Sequence, residues 1–151
     1  DWTLDAGYLR YEYPNAKAVA GAFVKPSTDE LYIGVSRGPA TLKYSRGVST
    51  IFGVPDSRQS DYLELAVNYP VTAALTLNGT LGHQRYKGRQ GNFSNGNFDY
   101  SVWKLGATWD FGRGISAGAY YKDTNADAQY FTYLGKEWTR GRVVGFVSYA
   151  F

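Results

Sequence analysis

The chain contains no cysteine, no methionine and one histidine. Without thiols there is no disulfide framework, no thiolate metal site and no cysteine redox chemistry. His83 alone cannot build a histidine-rich metal centre, and any catalytic triad would have to use it. A sequence without methionine even at position 1 reads as a processed product or a segment, with no signal peptide left to interpret. No run approaches the ~18 apolar residues that a spanning helix needs, which excludes a helical membrane protein. The net charge is +3 and the isoelectric point about 9.0, yet no block of Lys or Arg forms. Dispersed charge of this kind gives no support to nucleic acid as a partner.

Glycine (18 residues) and tyrosine (14 residues) are abundant, and aromatics make up 17% of the chain. Tyr, Trp and Phe suit pleated surfaces, so this balance favours strands. Strict alternation then recurs from one segment to the next. Trp103, Leu105, Ala107, Trp109 and Phe111 oppose Val102, Lys104, Gly106, Thr108 and Asp110. Leu63, Leu65, Val67 and Tyr69 oppose Tyr62, Glu64, Ala66 and Asn68, and Leu75, Leu77, Gly79 and Leu81 oppose Thr76, Asn78, Thr80 and Gly82. The same pattern runs through Trp2–Tyr8, Leu31–Ser36, Ala40–Ser45, Ile115–Lys122 and Arg142–Phe151. This predicts roughly eight strands of about ten residues, the length of a tilted transmembrane strand. Asn15 to Val24 is the exception, where a hairpin extension and a short helix are both open. The mean hydropathy of -0.38 does not argue against a membrane barrel, because lipid-facing and lumen-facing residues cancel in the average.

The connections alternate in length. Short turns fall at Arg37-Gly38-Pro39, Pro70 to Ala74 and Gly112-Arg113-Gly114; long polar loops fall at Pro14 to Asp29, Ser49 to Asp61, Lys87 to Asp99 and Thr124 to Gly141. Outer-membrane barrels have short periplasmic turns and longer external loops. On that parity Trp2, Tyr69, Trp109, Phe111, Tyr149 and Phe151 form a periplasmic aromatic girdle. The outer girdle is less regular, with Tyr44, Trp103 and Tyr121 as candidates. The fold class expected is thus all-β, an antiparallel up-and-down transmembrane β-barrel forming a single domain over residues 1–151.

A soluble ligand-binding barrel with its apolar face turned inward has the same period. Against it stand an opposite face rich in Gly, Ser and Thr, aromatics gathered at strand ends, and an apolar, aromatic final strand. The lumen would be lined by Asp5, Glu30, Lys43, Glu64, Lys104, Asp110 and Lys122. In a narrow barrel these charges would pair and fill the interior, whereas in a wider one they would filter solutes. Asp123-x-Asn125-x-Asp127 begins like a calcium loop, but Ala128 and Leu134 stand where the loop needs Gly and Glu, so no EF-hand is expected. No cofactor and no metal are called for. A rim enzyme using His83 remains as an alternative from another class; the residues suggest no catalytic group beyond it.

Several short motifs carry a family resemblance. They are Tyr11-Glu12-Tyr13-Pro14, Asp29 to Ser36, Gly38 to Ser45, Asp61 to Leu65, Leu81-Gly82-His83-Gln84, Asp110-Phe111-Gly112 and Gly141 to Val144. In this order they resemble the TorF-type porin family of proteobacterial outer-membrane proteins. The resemblance implies an outer-membrane barrel with a pore role and no established catalytic residues. Family members are typically longer, which implies further strands before Asp1 and a full barrel of about twelve strands, wide enough for a narrow aqueous path. The function expected is passive diffusion of small polar solutes, with a closed structural or adhesive barrel acting through its loops as the alternative. The partners expected are outer-membrane lipids including lipopolysaccharide, and the barrel-assembly machinery through the C-terminal strand; the oligomeric state is left open.

Overall fold

The computed structural model describes residues 1–16, 24–133 and 135–151. The alternating segments form eight long strands: β1 (Trp2–Tyr11), β2 (Thr28–Arg37), β3 (Ala40–Gly47), β4 (Asp61–Pro70), β5 (Leu75–Arg85), β6 (Tyr100–Gly112), β7 (Ile115–Thr124) and β8 (Arg142–Tyr149). They pair in chain order into one antiparallel sheet. Each strand predicted from alternation is present, and its apolar and polar sets fall on opposite faces as the period of two requires. The segment Asn15 to Val24, open between hairpin and helix, lies largely outside the described residues.

Tight turns join β2 to β3, β4 to β5 and β6 to β7. Gly38 opens the first of these at φ 55°, a conformation that the missing Cβ makes cheap. Between β6 and β7 the register shifts at Asp110/Gly112. The long connections all leave the opposite end of the sheet. There, Arg89–Gln90 pairs with Phe93–Ser94, and Thr132–Tyr133 with Lys136–Glu137, as two miniature hairpins.

The distribution of apolar residues is inverted relative to a soluble domain. Leu4, Leu31, Ile33, Leu42, Leu63, Leu65, Leu77, Leu81, Leu105, Val143 and Val147 are all exposed on one face. Their polar neighbours are better covered: along β5, Leu77, Leu81 and His83 are exposed while Gly82 and Gln84 are buried. Apart from loops at one end, no second layer among the described residues covers the polar face. Glu30 of β2 and Tyr100 of β6, with three strands between them in the sheet, lie close enough to interact, so the sheet curls around that face. In a soluble barrel with an apolar interior this Leu, Ile and Val face would be the covered one; here it is the exposed one. Among the described residues no strand joins β1 to β8. The sheet is curled but open, and its two edge strands are exposed on both faces.

Candidate functional site on the polar face and its cap

Register places the predicted lumen residues relative to one another. Asp5 faces Gly34, Gly34 faces Lys43, and Lys43 faces Glu64, so Asp5, Lys43 and Glu64 lie in one row across β1–β4. Lys104 faces Lys122 across β6–β7. Glu30 faces Gly47 at the long-loop end, where it is half-buried. Asp110 sits at the short-turn rim, and its carboxylate accepts from the Gly112 amide at 2.7 Å. The structure thus assigns it to its own turn.

These charges do not neutralise one another in pairs. Among the described residues the ion pairs within 4.0 Å are Arg10–Glu12, Arg10–Asp29, Lys25–Glu12, Arg85–Asp61 and Arg140–Glu137. All involve the long-loop end or the loops themselves. On the polar face two of the cations, Lys43 and Lys104, lie against aromatic rings instead. The Lys43 ammonium is 4.3 Å from the centroid of Tyr32, and that of Lys104 is 5.3 Å from Tyr120. Glu64 accepts from the Tyr62 hydroxyl at 3.2 Å, and Asn68, Asn78 and Thr108 form a chain of 2.8 Å hydrogen bonds. The expected interior ion pairs give way to cation–π contacts and neutral hydrogen bonds.

Several of these rings depend on glycine. Tyr32 crosses Gly7, its register partner, and Phe146 crosses Gly118 in the same way. A Cβ at Gly7 would lie 2.8 Å from the Tyr32 oxygen, and one at Gly118 2.8 Å from the Phe146 ring. Alternation shows these glycines as small inward positions; which ring each one seats follows from register alone.

At the long-loop end, loops read from sequence as polar fold over the polar face. Ile51 (1% exposed), Val54 (6%) and Tyr86 (9%) form the buried apolar cluster, with Phe98 and Tyr100 packed against it. Edge-on aromatic contacts extend it through Phe93, Tyr130 and Phe131. The buried polar side chains stitch this cap together. Asn95 donates to the carbonyls of Pro55 and Lys87, each at 2.8 Å, and accepts from Gln90 at 2.9 Å. Ser57 accepts from the Ile51 amide at 2.8 Å and donates to the Val54 carbonyl at 2.6 Å. Among the described residues no buried side-chain polar atom is left without a partner. Such complete satisfaction is what allows loop backbone to be buried. Burial also raises the Tyr86 phenol above its usual value.

The remaining candidates separate clearly. His83 faces Ser101 across β5–β6, with Nδ1 and Oγ 3.0 Å apart, on the apolar face beside Leu42, Leu63 and Leu81. Sequence spacing gave no sign of this pairing. Among the described residues no carboxylate bonds to His83; its one side-chain partner there is Ser101. Asp123, Asn125 and Asp127 cap different groups: the Thr124, Ser101 and Gln129 amides respectively. The six girdle residues are all exposed. Register puts four of them at the short-turn end, Trp2 opposite Arg37, Tyr69 opposite Leu77, Trp109 opposite Leu75 and Tyr149 opposite Ile115, while Phe111 falls in the register shift and Phe151 follows β8. Tyr149 and Phe151 stack with centroids 6.0 Å apart.

A family model described as a bacterial protein of unknown function, Gcw_chp, matches residues 1–151. The chain belongs to the Gcw_chp family. No curated protein matches it. In this Gcw_chp chain the surfaces with distinctive chemistry are the polar face, the cap above it and the apolar face behind it.

Proposed function

We propose that this chain forms the wall of a bacterial outer-membrane β-barrel through which small polar solutes diffuse passively. The observation that carries the reading is the inversion itself: an alternating sheet exposes its Leu, Ile and Val set and curls around its Gly, Ser, Thr and charged set. Burying a continuous apolar wall against hydrocarbon removes the cost of exposing it to water. The aromatic ends at Trp2, Tyr69, Trp109, Phe111, Tyr149 and Phe151 suit the bilayer interface, where a ring needs an apolar body and a wet edge. The resemblance to TorF-type porins points the same way, and closure of the sheet into a full barrel is part of the proposal. Lipopolysaccharide and phospholipid would meet the apolar face, and the assembly machinery would engage β8.

The test is conductance. Purified protein folded from detergent into a planar bilayer should give discrete current steps. Well-folded protein that never conducts would leave the second reading, a closed barrel acting through its loops, which the packed cap around Ile51 and Tyr86 favours. No catalysis is proposed for His83 and Ser101. Ester hydrolysis by the purified protein that disappears in His83→Ala would overturn that statement. Folding to a monodisperse species in buffer without detergent would overturn the membrane reading as a whole.

A further inference from the structure

Away from the short-turn rim, where Asp110 bonds its own turn, the polar face carries its adjacent cations on one half. The acids Asp5, Glu30 and Glu64 lie on β1, β2 and β4, together with Lys43 on β3. On the other half, Lys104 of β6 faces Lys122 of β7, and Lys122 faces Arg142 of β8. Like charges directly opposite one another on a sheet repel. Among the described residues none of these three cations has a carboxylate within 4.0 Å. A row of adjacent cations without counter-charge is a standing attraction for an anion.

Next to that row is a pocket between the polar face and the loop after β7, lined by Tyr100, Val102, Lys122, Phe131, Trp138 and Thr139 among others. Its walls combine aromatic surface with one cation, Lys122, and two further cations lie against the ring of its wall residue Trp138. Lys136 Nζ lies 4.8 Å from the Trp138 centroid, and the Arg142 guanidinium carbon 5.8 Å. The two carboxylates within the loop are already engaged: Glu137 accepts from Thr139 Oγ1 and Arg140 Nε, both at 2.7 Å, and Asp127 from the Gln129 amide at 2.9 Å. Asp123, next along the chain, caps the Thr124 amide at 2.8 Å. Ligand pockets are typically apolar clefts with a few convergent polar groups, and this one converges positive charge on aromatic walls.

We propose that this pocket binds a small aromatic carboxylate. Lys122 and Arg142 hold the carboxylate, while Trp138 and Phe131 flank the ring. The assignment rests on the pore reading only for the route by which the ligand arrives, and it names the solute class that the face would select. Arg142 Nη2 already donates to the Glu137 carbonyl at 3.2 Å, which holds the guanidinium beside Trp138 and leaves its other N–H groups for a carboxylate.

The experiment is a titration of the full chain, refolded in detergent, with benzoate, acetate and benzamidinium, reading tryptophan emission against a Trp138→Phe variant to isolate the local signal. Benzoate should quench Trp138 saturably, acetate should bind about tenfold more weakly, and benzamidinium should give no saturable signal. Lys122→Gln and Arg142→Gln should each weaken benzoate by about tenfold, the loss of one charge-assisted contact. The far-ultraviolet strand signal checks that each variant is folded, and either single variant suffices if the other fails to fold. An equal response to benzamidinium, or unchanged benzoate affinity in a folded variant, would overturn the proposal. Conductance measured in parallel separates the two readings. Binding without current steps would sink the pore and keep the site; current steps without binding would do the reverse.

Discussion

Single atoms decide the finest features of the polar face. Gly118 is the clearest case, since a Cβ there would meet the Ala107 carbonyl as well as the Phe146 ring, the latter at 2.8 Å. Gly118→Ala should therefore destabilise the sheet by about 1–3 kcal/mol, the usual cost of overpacking. Urea unfolding of the detergent-folded protein measures this, and an unchanged midpoint would show that the ring does not rest there. Glu12 makes a second prediction at this scale. Lys25 and Arg10 hold its carboxyl down, with help from Ser27, to about 2 from an ordinary 4.5. A depressed value means that the cluster contributes fully above about pH 4.5 and is lost as pH falls through about 2. A carboxyl titration by NMR with a midpoint near 4.5 would mean that the Arg10–Glu12–Lys25 contacts do not persist in solution.

Among the elements, strands and loops differ in how much their sequence reveals. Each strand announces itself because a two-residue period repeats over about ten residues, and sorting the two faces needs nothing beyond counting. The cap does not. Ile51, Val54 and Tyr86 are isolated apolar residues within polar stretches, and their cluster forms only when separate loops meet. Its polar residues mislead further, since Ser57 and Asn95 suggest solvent yet are completely buried. They serve as substitutes for secondary structure, supplying partners for loop amides and carbonyls. The His83–Ser101 contact was hidden for a related reason, because a cross-strand neighbour is set by register and loop length. Ile51→Ala should cost about 2–5 kcal/mol of local stability. Faster protease cleavage within residues 49–60, with the strands still protected, is the expected readout; unchanged cleavage would show that the cap is not held by that cluster.

For the whole molecule, the side on which the apolar wall faces decides the environment. Leu105 projects from the middle of β6 and is 62% exposed. Leu105→Arg should cost about 2–4 kcal/mol of folding into vesicles, the penalty for a cation near the bilayer midplane. On a water-facing wall the same change would improve solubility and leave stability intact, so the direction of the effect tests the environment. The two unpaired edges carry a different consequence, one of timing. Among the described residues each edge strand presents a line of N–H and C=O groups without strand partners, and every such group would cost several kcal/mol in hydrocarbon. A sheet with its seam open therefore cannot enter the bilayer strand by strand. In the proposed barrel, seam closure and insertion would then be one concerted event, and the slow step would follow how quickly the edges find partners, whatever the hydrophobicity of the strands between them.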